Sequence, residues 1–240
     1  MQESIQSISY IHLALAFLPA FIVIGILYHW RLSPGNGVYA IFRMVTQLLL
    51  VGYILAFIFA AENAWIVLIV IMIMVLSASW IALRTSHQKF SVLFSKAIIS
   101  ILVGGGLILV FISQFVLELS PWYKPNYMIP IAGMIFANAM NSISLAVERL
   151  EAELNRNLDY EEAKKIAFQA SLIPIVNSLF AVGLVSLPGM MTGQILSGVS
   201  PLIAVRYQIV VMCMIFGSGG ITAAIFLSMV KSIYEDKKST

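Results

Sequence analysis

The side chains able to do acid–base, metal or covalent chemistry are few in this sequence and do not converge. There are three histidines, one cysteine and 11 acidic residues in 240. His12 and His29 flank the first apolar run and His87 follows the third, so they read as interfacial side chains and not as one site. None of the strings H-E-x-x-H, G-x-S-x-G or G-x-x-x-x-G-K-[ST] occurs, which argues against a zinc protease, a serine hydrolase or a nucleotide-hydrolysing chain. Gly104-Gly105-Gly106 has no lysine after it and lies within an apolar run, so it reads as helix packing or a kink. Cys213 has no second cysteine to pair with and reads as a small core hydrophobe.

Polar groups at membrane depth are costly, and by default they mark a pathway or the interior of a bundle. Arg43, Gln47, Asn138, Asn141, Asn177, Ser186 and Gln194 are the candidates. Arg43 lies near a span end and can snorkel. Asn138 and Asn141, three residues apart on one helical face, are expected to bond across helices. The 12 methionines, among them Met128, Met134, Met140, Met190 and Met191, suit soft metals but also fill gaps in a core, and the core reading is preferred.

Composition names the solvent in which these groups sit. The chain is 60% hydrophobic and 10% charged, against about 45–50% and about 25% for a soluble domain. Too much apolar surface remains for one water-soluble core to hide. About 20 apolar residues cross the hydrocarbon, and seven stretches reach that length: Tyr10–Trp30, Val38–Ala61, Ala64–Leu83, Ala97–Leu117, Met128–Val147, Leu172–Leu196 and Ala204–Val230. The expected fold is an all-α membrane protein of about seven transmembrane helices. Residues 1–240 read as a single transmembrane domain. Glu3 and the absence of Lys or Arg before the first run differ from a signal-peptide start, so the first span is expected to be retained.

With the N-terminus outside and the spans alternating, Arg31, Arg43, Arg84, Lys89, Lys96, Arg149, Arg156, Lys164, Lys165, Lys231, Lys237 and Lys238 fall inside. Only Lys124 and Arg206 fall outside. A bias of 12 to 2 over 14 basic residues supports seven spans with the C-terminus in the cytoplasm. The net charge of +3 is thereby a topology signal, and nothing points to nucleic acid.

One segment leaves the bilayer. In ERLEAELNRNLDYEEAKK, Val147, Leu150, Leu154 and Leu158 share a helical face, so the fifth helix is expected to continue as an amphipathic stalk. Asp159, with Glu162 three residues on, fits a capping box for a new helix from Tyr160 to about Ser171, with Glu161 and Lys165 as an i,i+4 pair. The segment from about 148 to 171 is therefore a helical hairpin on the cytoplasmic side. It is either a solvated connection or a docking surface for a soluble partner.

The next apolar stretch carries its own breakers, GLVSLPGMMTGQILSG from Gly183 to Gly198. Pro188 is expected to kink or open the sixth helix near Val185–Gly189. Irregular backbone at this depth must face a cavity or another helix, so Ser186, Pro188, Gly189, Met190 and Met191, with Asn138 and Asn141, are the pathway or hinge candidates. Gly189, Gly193 and Ser197, at four-residue steps, form a small-residue face that admits another backbone.

Three strings carry a family likeness: IPIAGMIFANAMNSIS (Ile129–Ser144), LIPIVNSLFAVGLVSLPGMMTGQILSGVSP (Leu172–Pro201) and RYQIVVM (Arg206–Met212). RMVTQLLLVGYILAFIF (Arg43–Phe59) extends it. The chain resembles the FetB-like (UPF0014) permease family, which includes bacterial iron-export ABC permeases and plant relatives linked to aluminium tolerance. The resemblance implies the transmembrane subunit of an ABC transporter in the cell inner (plasma) membrane, paired with a second copy of itself. ATP and Mg would then be bound by a separate ATPase, with no cofactor in this chain. It also gives Tyr160, Glu161, Glu162 and Ala163 an ATPase-coupling role, since Tyr160–Ala163 with Leu172-Ile173-Pro174 is loosely similar to the coupling motif of importer permeases. Phe168 and Gln169 stand where that motif carries glycine. The implied cargo is a metal such as iron; a small organic solute such as a nucleotide sugar, and a non-transporting scaffold, are the alternatives.

Overall fold

Lipid leaves a spanning backbone no solvent partners, so an apolar run of this length satisfies its own N–H and C=O groups as a helix. The computed structural model describes residues 8–60, 63–84, 86 and 90–235. Among the described residues the regular structure is helical, apart from an isolated bridge between Val182 and Ser186. The expectations placed on Glu3, His87, Lys89, Lys237 and Lys238 lie outside the described residues. The chain groups into two compact units, Met1–Ala61 and Glu62–Thr240.

The first unit holds α1 (Tyr10–Leu15), α2 (Leu18–His29) and α3 (Gly35–Ala60). The Ser9 side chain caps α1 by accepting from the His12 N–H. Pro19 begins α2, where its missing N–H costs no helical bond. Together Tyr10–His29 make one span and Gly35–Phe59 the next.

The second unit is built around one long helix. Its elements are α4 (Ala64–Ala82), α5 (Phe90–Ser100), α6 (Gly106–Phe111), α7 (Pro125–Asn155), α8 (Tyr160–Ala181), α9 (Gly189–Leu196), α10 (Pro201–Met229) and α11 (Lys231–Glu235). One π-helical turn, Ile101–Gly105, joins α5 to α6, and a second, Ile112–Val116, extends α6 to complete the span Phe90–Val116. Helix α7 packs against α4, α8 and α10. Its seam carries Ala132, Ala139 and Ala146 at seven-residue steps, all fully buried, so small side chains let the neighbouring helices approach while Ile135, Ile143 and Leu150 fill the gaps.

The tightest approach is at the first π turn. A Cβ on Gly104 would stand 2.5 Å from Thr222 Oγ1 and 2.8 Å from the Thr222 backbone nitrogen, so α10 lies directly on Gly104. The glycine triplet is thus a packing device combined with a helix irregularity.

Among the described residues six helices are long and apolar enough to cross a membrane. They correspond to the expected spans other than Leu172–Leu196. That stretch is not one helix: α8 stops at Ala181 and α9 starts at Gly189. Cys213 also departs from expectation, because it is exposed on α10 and does not enter the core. On an outward face of a spanning helix an apolar thiol meets lipid or another subunit at little cost.

Candidate functional site

At one end of the second unit the expected hairpin is present. Helix α7 continues through the charged stretch to Asn155 and α8 begins at Tyr160. Val147 and Leu150 of the stalk face are fully buried, and Leu154 and Leu158 pack against the core. Asp159 caps α8, its carboxylate accepting the Glu161 N–H at 3.1 Å. Asn157 takes φ +66 to turn the chain, a conformation asparagine tolerates.

The four coupling candidates do not share one environment. Tyr160 and Ala163 are buried, at 3% and 0% exposure, because the Tyr160 hydroxyl donates to the Leu227 carbonyl of α10. Burial, and then the charges of Glu161 and Glu235, push its pKa up. Glu161 faces α11: Lys231 Nζ donates to it at 2.7 Å, and Lys164 pairs with it at 2.6 Å. The expected Glu161–Lys165 pair is therefore replaced by Lys164 and Lys231, since a partner 70 residues away in sequence lies on that side of α8. Glu162 and Lys165 are exposed and form the solvent-facing side of the hairpin.

A second polar knot beside it was not legible in the sequence. Glu151 of α7, 7% exposed, accepts from Tyr234 Oη at 2.8 Å and from Ser86 Oγ at 2.6 Å. The Tyr234 pKa is raised, first by burial and then by the Glu151 charge. One carboxylate thereby ties α11 and the segment after α4 to the stalk. Nothing local marks it, because Ser86 and Tyr234 are 65 and 83 residues from Glu151.

The α11 tether has a defined pH range. Hydrogen bonds from Lys164 and Lys231 lower the Glu161 pKa from 4.5 to about 2, and the bond to Glu161 raises that of Lys231. A depressed acid stabilises above its unfolded pKa and is lost as pH falls toward the folded value; a raised base stabilises below its unfolded pKa and is lost above the folded value. Amide exchange across α11, corrected for intrinsic rate, is expected to stay flat from about pH 5 to about pH 9. It is expected to accelerate in Lys231→Met and in high salt.

At the opposite end of α7 the predicted break has a different origin from the one expected. Helix α8 ends at Ala181, and Gly183 takes φ +84, so glycine and not proline turns the chain. The Gly183 N–H donates to the Ser186 carbonyl at 2.9 Å, and the Ala181 carbonyl accepts from Val185 and Ser186. These bonds satisfy the irregular backbone locally, as hydrocarbon demands. Pro188 occupies the N-cap position of α9, where its missing N–H interrupts no helix. Its carbonyl accepts from the Thr192 hydroxyl at 3.1 Å.

Among the described residues, nothing stands within 4 Å of where a Cβ on Gly189 or Gly193 would lie, and the Ser197 hydroxyl bonds back to the Gly193 carbonyl. Asn138 donates to Met134 of its own helix at 2.8 Å instead of crossing to another, and Asn141 is exposed beside it. An amide that reaches back one turn needs no partner helix. Met191 is half-buried, while Met190 lines a cavity.

That cavity, of about 560 Å³, opens between α7, α9, α10 and the second π turn. Its wall includes Tyr127, Met134, Met190, Gln194, Tyr207 and Met214. From Pro130 on its wall to Glu151 is 21 residues of α7, about 32 Å at 1.5 Å each. The cavity and the hairpin thus sit about one hydrocarbon thickness apart. Helix α8, with 22 residues, spans a similar distance, about 33 Å, and delivers the chain to α9. Among the described residues no three His, Cys, Asp or Glu side chains group as metal ligands.

One family model, described as an uncharacterised protein family, UPF0014, matches residues 10–164 and 158–234, which include these spans, the hairpin and the interrupted helix. The chain belongs to UPF0014. A UPF0014 membrane protein of Synechocystis is 38% identical over 196 residues, 75% of this chain and 76% of its own. The probable iron export permease protein FetB of Escherichia coli is 32% identical over 229 residues, 89% and 87% of the two chains. Protein ALUMINUM SENSITIVE 3 of Arabidopsis thaliana is 31% identical over 227 residues, 88% and 81%. No solved structure matches this UPF0014 chain significantly.

Proposed function

We propose that this chain is the membrane-spanning subunit of an ABC transporter that exports a metal such as iron from the cytoplasm. A separate ATPase, binding ATP and Mg, docks on the α7–α8 hairpin, and a second copy of the chain completes the permease in the cell inner (plasma) membrane. The observation that carries the reading is the similarity, over 89% of the chain, to a protein named a probable iron export permease. The fold supplies the mechanical part. Helix α7 has 31 residues, about 46 Å, so it overruns the ~30 Å hydrocarbon and carries the charged stalk beyond it.

In this reading the N-terminus is outside and the hairpin is cytoplasmic, with the basic residues around it. Hairpin displacement moves α8 as a rod, the Gly183–Pro188 turn converts that motion into a shift of α9, and α9 forms one wall of the cavity. Gly189, Gly193 and Ser197, open in the single chain, face the second copy.

Glu162 tests the docking step, because it is exposed and leaves the Glu161 tether intact. Reconstituted with its ATPase, Glu162→Lys is expected to insert and assemble normally while losing at least tenfold in coupled ATP hydrolysis, since like-charge contact across an interface costs several kcal/mol. Undiminished coupling in this variant removes the hairpin from the ATPase interface. If no ATPase binds the chain at all, the scaffold alternative replaces the transporter.

A further inference from the structure

The cavity wall has a chemistry that does not suit a bare hard metal ion. Among its lining residues there is no Asp, Glu, His, Cys, Lys or Arg. A hard cation is held by several oxygens, usually carboxylates, and an unpaired charge in a wall of this kind is strongly disfavoured. Size points the same way. An ion with six waters occupies about 180 Å³ at about 30 Å³ per water, whereas the cavity measures about 560 Å³. That volume and a mostly apolar lining with a few polar groups are the attributes of a site for an organic small molecule.

The polar side chains on the wall are the amides of Asn126 and Gln194 and the hydroxyls of Tyr127 and Tyr207. Gln194 Oε1 is buried without a hydrogen-bond partner, and an orphaned acceptor is costly unless something donates to it. Pro130, also on the wall, has no N–H to give the Asn126 carbonyl four residues earlier. Gln194 Oε1 is thus a buried acceptor in want of a donor, with Met134, Met190 and Met214 as polarizable, adaptable surface on the same wall.

We infer that this cavity binds an uncharged amphipathic organic molecule that donates an N–H or O–H to Gln194. Where the permease reading holds, a metal ion passes this point inside such a molecule, as a neutral chelate, and not as a hydrated ion. The ligand bridges α7, α10 and α9, so its occupancy registers any movement of α9.

The test uses the full chain in lipid nanodiscs and three probes: a neutral tris(hydroxypyridinonate) iron(III) complex with free ring N–H groups, the same hydroxypyridinone without metal, and ferrous ion alone. Both uncharged probes are expected to bind saturably and to compete with each other, while ferrous ion neither binds nor competes. Gln194→Leu is expected to weaken binding about tenfold. Val210→Trp, which fills the cavity, is expected to abolish it. Should the tryptophan variant fail to fold, competition and Gln194→Leu decide the matter alone.

Binding of bare ferrous ion that Gln194→Leu removes overturns the inference. So does absence of any uncharged-probe binding, binding indifferent to Gln194→Leu, or a cavity filled by co-purified lipid that the probes do not displace. ATP-driven iron transport without chelate binding sinks this inference and leaves the permease reading standing; chelate binding without ATP-driven transport does the reverse.

Discussion

Gly104→Ala is expected to lower the melting temperature of the detergent-solubilised chain by roughly 4–8 °C, the equivalent of about 2 kcal/mol for a chain of this size. The added methyl would lie 2.5 Å from Thr222 Oγ1, 2.8 Å from the Thr222 nitrogen and 2.9 Å from its Cα. A hydroxyl can rotate aside, but the other two atoms belong to the α10 backbone, so the whole helix must move. Two residues later the same substitution has the opposite sign. Gly106 has nothing within 4 Å of a built Cβ, and Gly106→Ala is expected to be neutral or to stabilise by up to about 1 kcal/mol through helix propensity. Thermal melts of the two variants side by side check both values. Equal effects would mean that α10 does not press on the π turn.

The second large effect is expected at Glu151. Glu151→Ala removes the acceptor of Tyr234 and Ser86, strands buried polar groups and leaves a void, at a cost of about 2–3 kcal/mol. Tyr234→Phe removes only one donor and is expected to cost about 1 kcal/mol. Helix α11 should loosen in both, so amide exchange at residues 231–235 is the direct readout. A Glu151→Ala chain with α11 protected as in the wild type would show that the Lys231–Glu161 pair holds it without the knot.

The hairpin shows which expectations reach through a sequence. Its stalk face, its turn and the Asp159 cap depend on neighbours within about one helical turn, and each was readable from spacing. The Glu161 partner was not. Helical spacing favoured Lys165, but α11 brings Lys231 to the same carboxylate and Lys164 takes its other oxygen. Likewise Tyr160 reads as the start of a helix, and no local spacing tells that α10 presents the Leu227 carbonyl to it. The break after α8 was visible as a cluster of Gly and Pro. Proline is the stronger breaker within a helix, yet the turn was placed by Gly183, the residue able to take positive φ.

By itself, then, the sequence determined the solvent, the helical form, the hairpin with its cap, and the presence of an interruption in the sixth apolar stretch. All of these follow from hydropathy and short-range geometry, which act over a few residues. Tertiary structure alone decided that Gly104 seats α10, that Glu151 gathers side chains from 65 and 83 residues away, and that α7, α9 and α10 enclose an uncharged cavity. Those features arise from helices distant in the chain, and local spacing carries no record of which faces will meet.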